Sequence, residues 1–139
     1  MSHTLIEKDE GQTDALIKGF NKASGDIYCW LNADDAFTPN ALQHVVEKYQ
    51  EHPNSDMWVG ATRFVDQRGN ILGHDCPPVP KCNPFHTGLE LLKFWGNGLH
   101  FMQPSVFFSS NAYKNVGGLN KRFDHLMDIE LWTKICLKG

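Results

Sequence analysis

No apolar run in this 139-residue sequence approaches the roughly 20 residues that a helix needs to cross a bilayer. The longest, Ile27 to Leu31 and Val106 to Phe108, are the size of strands, so no membrane-spanning helix is expected. The first ten residues, Met1 to Glu10, lack both the basic start and the apolar stretch of a secretory signal. A cytoplasmic location is the expectation that follows. Basic charge is also scarce: 13 Lys and Arg stand against 16 Asp and Glu, a formal net charge of −3. Nucleic acid, which asks for a basic stripe, is not an expected partner. The four cysteines do not imply a disulfide framework, because a chain with 41% apolar residues can build a core without one. Cys29 and Cys136 read as small buried apolar residues, and no internal repeat is present.

What is there reads as one α/β domain. Ala15, Leu16, Gly19, Phe20 and Ala23 recur at helical spacing, with Gly25 placed where a helix stop favours a left-handed residue. Ile27 to Leu31 then has the unbroken apolar character of a strand buried on both faces, the kind found in parallel sheets. Thr38-Pro39 predicts the start of a second helix, with Thr38 as N-cap and an apolar face of Ala41, Leu42, Val45, Val46 and Tyr49. Met57 to Val65 predicts a strand that turns through Asp66 to Asn70 into Ile71-Leu72. Four prolines between Asp75 and Pro84 exclude regular structure there. Gly88 to Phe94 has a short helix's pattern, and a further strand is expected over Gln103 to Phe108. Ser110 to Val116 fits a helix stopped by Gly117-Gly118, and Met127 to Leu137 another, with Leu131, Ile135 and Trp132 inward.

Two acidic features carry chemistry. Asp34-Asp35 follows an apolar strand, and ligands of open α/β sheets bind outside the carboxyl ends of strands. Adjacent carboxylates repel unless a cation or hydrogen-bond donors compensate them, for which Mg²⁺ or Mn²⁺ with phosphate oxygens is the usual solution. Taken alone, such a pair is also what a polar loop ahead of a helix looks like. Asp128 and Glu130 open the last helix two residues apart and so do not share a face. They have different roles, or are ordinary partners of the helix dipole.

In order along the chain, Asp9-Glu10-Gly11-Gln12-Thr13-Asp14-Ala15, Lys18-Gly19-Phe20, Gly25-Asp26-Ile27 and Trp30-Leu31-Asn32-Ala33-Asp34-Asp35 resemble the family 2 glycosyltransferases. His52-Pro53, Gly60, Asp66 and Gly69-Asn70 fit the family's next strand and turn. Gln103-Pro104-Ser105, Gly117-Gly118-Leu119 and Met127 to Trp132 are similar to its acceptor-side segments. The resemblance implies a partial GT-A fold, a Rossmann-like three-layer α/β arrangement with a mixed sheet. Residues 1–139 would form a single domain, the central and catalytic part, with the nucleobase-binding strands lying before Met1.

That resemblance implies inverting transfer of a sugar from a nucleotide-diphospho-sugar to an acceptor hydroxyl, in glycan or cell-surface polysaccharide synthesis. Asp35 would hold Mg²⁺ or Mn²⁺, and Asp34, Gln12 and Asp9 would meet the donor. Asp128 would be the base that deprotonates the acceptor. Gln103, His100 beside the glycine-rich break, and Trp95 are the acceptor-side candidates. Ala33 stands where the family usually carries an acid, so metal ligation rests on Asp35. A glycan or lipid-linked acceptor is implied, with peripheral association at the inner face of the membrane; oligomeric state is not indicated. Two other readings stand beside this one. One is a non-catalytic interaction module that keeps the fold. The other is a zinc site from His74, Cys76, Cys82 and His86, although five residues and several prolines separate its cysteines.

Overall fold

The computed structural model describes residues 4–76, 88–97 and 101–138. Among the described residues five helices and five strands follow one another in the order α1 (Gln12–Lys22), β1 (Ile27–Tyr28), α2 (Ala41–Glu51), β2 (Met57–Val59), β3 (Thr62–Val65), β4 (Ile71–Cys76), α3 (Gly88–Gly96), β5 (Val106–Ser109), α4 (Ser110–Asn115) and α5 (Met127–Lys138). One sheet has the order β1-β5-β2, and β3-β4 form a separate hairpin. This is an α/β fold, a partial GT-A arrangement. Both β1 and β2 pair with β5 antiparallel, Tyr28 opposite Phe108 and Trp58 opposite Phe107. The outer strands therefore point the same way on either side of a reversed centre. The parallel pairing expected for β1 is absent among the described residues, because an unbroken apolar run reports burial on two faces and not the direction of the neighbour.

The core is aromatic and sits where α1, the sheet and α4 meet. Phe20 of α1 stacks on Tyr28 with ring centres 5.2 Å apart and lies 4.8 Å from Tyr113 and 5.8 Å from Phe108. The same core continues between α3 and α5: Leu91, Leu131 and Ile135 are buried there, and the ring of Phe101 lies 5.1 Å from Trp132 and 5.8 Å from Trp95. Cys29 and Cys136 are half-buried free thiols. Burial pushes both above the usual thiol value, Cys136 to about 11, which suits the apolar role expected of them and not that of a nucleophile.

Several element ends differ from the sequence reading for local reasons. Ala23, in extended conformation, closes α1, so Gly25 is not its left-handed stop. Asn40 at φ 65°, and not Thr38, precedes the first turn of α2; Asn tolerates the left-handed region better than other non-glycine residues. No residue of α2 is buried, and Leu42 and Val46 of its apolar face are exposed. The strand expected from Met57 to Val65 is broken at Gly60, whose N–H donates to the Ser105 carbonyl at 2.8 Å. Gln103 to Ser105 form a 3-10 turn ahead of β5. The Asp66 turn forms as expected: its carboxylate accepts from the N–H groups of Arg68 and Asn70. Gly117 and Gly118 end α4 at φ 80° and 68°.

Candidate active site

The carboxyl end of the first apolar run, the start of α1, the 3-10 turn and the start of α5 surround one cleft of about 190 Å³. Gln12, Trp30, Asn32, Gln103, Asp124, His125, Met127 and Asp128 line it. Three of the residues expected at the site thus meet: Gln12, Gln103 and Asp128.

Asn32 is the hub of the floor. Gln12 Nε2 donates to Asn32 Oδ1 at 3.0 Å. Asn32 Nδ2 donates to Asp35 Oδ2 and to Gln103 Oε1, both at 3.1 Å. Gln103 is itself anchored, its Nε2 donating to the Trp30 carbonyl at 2.7 Å. The backbone joins in, with Asp35 N–H donating to the Asn32 carbonyl at 3.2 Å. Asp35 is therefore half-buried and oriented by an amide, whereas its neighbour Asp34 is exposed. Asp9 lies outside the cleft lining, where its carboxylate accepts from Gly11 N–H at 3.1 Å.

The opposite wall is carried by the segment between α4 and α5, which a set of long-range contacts ties to α1. Thr13 is buried, and its Oγ1 donates to Asp124 Oδ1 at 3.1 Å and approaches Met127 Sδ at 2.9 Å. The buried Asp14 carboxylate pairs with Lys121 at 2.5 Å and Lys18 at 3.0 Å. Hydrogen bonds from Lys121, Lys18 and the Glu10 N–H hold its carboxyl well below the usual carboxylate range. These ties place Asp124, His125 and Asp128 at the cleft. Asp128 Oδ1 accepts from Ile129 N–H at 2.8 Å, leaving Oδ2 as its open acceptor among the described residues. Glu130 faces elsewhere, paired with Lys134 at 3.0 Å, as the two-residue spacing required.

Trp95 is not part of the cleft lining; its ring packs against Phe101 and Trp132 in the α3–α5 core. His100 lies outside the described residues, as do the side chains of the zinc reading. Asn32, Asp124 and His125 are the residues that sequence reasoning missed. A polar residue directly after an apolar strand was a usable signal for Asn32, while Asp124-His125 sits in an aperiodic polar turn that offers none.

Among the described residues no group of three or more His, Cys, Asp or Glu side chains is gathered to hold a metal alone. The donor set fits a cation of a different kind. Mg²⁺ is ordinarily held by one or two carboxylates together with substrate phosphates and water, and one oriented carboxylate beside an exposed one matches that demand.

Residues 4–116 match the model of Glycosyl transferase family 2. The chain belongs to that family. The matched span includes Asp9, Gln12, Asp34, Asp35 and Gln103 and stops before Asp128. An uncharacterized glycosyltransferase of Rickettsia conorii is similar to this family 2 chain, 28% identical over 136 residues covering 94% of the chain and 21% of that protein. One from Mycobacterium tuberculosis is 28% identical over 134 residues, covering 94% of the chain and 46% of that protein. One from Nostoc is 36% identical over 62 residues, 45% of the chain and 18% of that protein. The family 2 chain spans from about a fifth to less than half of the length of these relatives.

Proposed function

We propose that this chain transfers a sugar from a nucleotide-diphospho-sugar to an acceptor hydroxyl with inversion at the anomeric carbon, in the synthesis of a glycan or cell-surface polysaccharide. The observation that carries the reading is that one cleft holds Asp128 together with Gln12, Asn32 and Gln103, the amide set that orients Asp35. Asp128, through Oδ2, takes the proton of the acceptor hydroxyl. The oxygen so freed attacks the anomeric carbon from the face opposite the leaving group. The bond to the diphosphate breaks, and its electron pair leaves on the diphosphate oxygen.

Asp35, with Asp34 beside it, is the group that would hold Mg²⁺ or Mn²⁺. Bound there, the cation stabilises negative charge on the departing diphosphate without proton transfer. Asp34 and Gln12 contact the donor in this reading, with Asp9 ahead of α1 as a further donor-side residue. Gln103 lies on the acceptor side. Thr13, Asp14 and Lys121 keep the base-bearing segment against α1. No described helix is long and apolar enough to cross a membrane. The acceptor we propose is a glycan or lipid-linked glycan, met in the cytoplasm or at the inner face of a membrane.

A second reading is a non-catalytic module that keeps the fold. Isothermal titration with a panel of nucleoside diphosphates and Mn²⁺ separates the two. Binding that disappears in Asp35→Ala, with the melting temperature retained, is the expected result. Absence of binding by the unaltered chain at millimolar concentration would favour the module.

A further inference from the structure

Asn32 commits its amide to the protein. An asparagine side chain offers two N–H donors and one carbonyl acceptor. Both donors are engaged, toward Asp35 Oδ2 and Gln103 Oε1, and the carbonyl accepts from Gln12. The amide has one workable orientation. Turned over, its oxygen would face two acceptors, Asp35 Oδ2 and Gln103 Oε1, and its nitrogen would face the donor of Gln12. Gln103 cannot follow such a turn without giving up the Trp30 carbonyl, to which its Nε2 donates at 2.7 Å.

We propose that Asn32 is a positioning residue that fixes the Asp35 carboxylate for a divalent cation and ties that orientation to Gln12 of α1 and Gln103 of the 3-10 turn. With Oδ2 occupied by the amide, Asp35 presents Oδ1 to the cation. The inference rests on the reading of Asp35 as the cation's ligand and adds the element that orients it. It also opposes a simpler idea, that Asn32 replaces the acid missing at Ala33 as a direct ligand. The Asn32 atom that faces Asp35 is its nitrogen, a donor that cannot ligate, and its oxygen is turned toward Gln12.

The two ideas predict opposite signs for Asn32→Asp, which keeps the shape and adds a negative charge. A ligand position gains affinity for the cation from that charge. A positioning amide loses its N–H to Asp35, sets two carboxylates against each other and strands Gln103 Oε1. Loss of a group that orients a metal ligand typically costs about 10- to 100-fold in metal affinity.

The test is Mn²⁺ affinity of the full chain in the presence of a saturating nucleoside diphosphate, read by water-proton relaxation, with circular dichroism to verify folding. Asn32→Asp is expected to weaken Mn²⁺ about tenfold or more. Gln103→Met, which removes an anchor of the amide without touching Asp35, is expected to weaken it in the same direction. Unchanged or tighter Mn²⁺ binding in Asn32→Asp overturns the proposal. Should that variant not fold, unchanged affinity in Gln103→Met overturns it. Failure of the unaltered chain to bind Mn²⁺ would instead remove the reading of Asp35 itself, and the inference with it.

Discussion

Phe108 anchors the sheet whose first strand leads into the cleft at Trp30 and Asn32, and replacing it with leucine gives a stability change that can be worked from its surroundings. The side chain is fully buried in β5, the central strand of the sheet. The rings of Phe20, Tyr28, Trp30 and Tyr113 lie 5.8, 6.3, 6.1 and 5.9 Å away. Leucine keeps most of the apolar volume but loses these ring contacts, each worth about 0.5–1.5 kcal/mol and not additive. Some loss is recovered by repacking, so a net cost of about 2 kcal/mol is expected. For a domain of this size, roughly 3–4 °C of melting temperature is lost per kcal/mol, hence about 6–8 °C. Phe64→Leu in β3 is the control: that side chain is 42% exposed, and a change within about 0.5 kcal/mol is expected. Thermal and urea melts followed by circular dichroism measure both. Equal shifts in the two variants would refute the assignment of Phe108 to the centre of the core.

The Asp14 cluster predicts an acid-sensitive step. The carboxyl is held below its ordinary value, so its stabilisation is complete above the unfolded-state value of about 4 and is lost as pH falls through the folded value. Melting temperatures taken from about pH 5 to pH 2 should therefore fall less steeply in Asp14→Asn than in the unaltered chain; identical slopes would contradict the pairing with Lys121 and Lys18. At the end of α4, Gly118→Ala should destabilise more than Gly117→Ala. Both need a left-handed backbone, which costs a side chain about 1–2 kcal/mol, but only at Gly118 would the added carbon meet Tyr113, at 2.8 Å. Equal losses on melting would show that Tyr113 yields freely.

Local signals were legible, and relations between distant segments were not. The helix of α1, the apolar face of α5, the Asp66 turn and the Gly117-Gly118 stop are each decided within a few residues and formed as read, although Ala15, Gly19 and Ala23 of α1 are exposed and Gly25 does not end it. The partner of β1 depends on a strand some eighty residues later, and its antiparallel direction is not encoded in Ile27 to Leu31. At the site, Gln12, Gln103 and Asp128, read from their order along the chain, line one cleft, whereas Asp34 and Asp35 lie outside its lining and Asp35 is tied to it through Asn32. Asn32 was passed over because its importance lies in a partner 71 residues away. Asp124 joins the cleft through Thr13, 111 residues earlier. Trp95 carried an aromatic signal that serves core packing as well as sugar stacking, and the α3–α5 interface took it.

The central claim is a proposed division of work, with Asp35, tied to the cleft through Asn32, serving the donor and Asp128, in its lining, serving the acceptor. The most direct measurement compares Asp128→Ala with the unaltered chain in two readouts, using a nucleotide-sugar selected by thermal shift. One readout is donor affinity by titration, and the other is turnover read as released nucleoside diphosphate. A positioned general base contributes about 10²- to 10⁴-fold in rate, so turnover should fall by that order while donor affinity stays unchanged. A normal rate in Asp128→Ala would contradict the account.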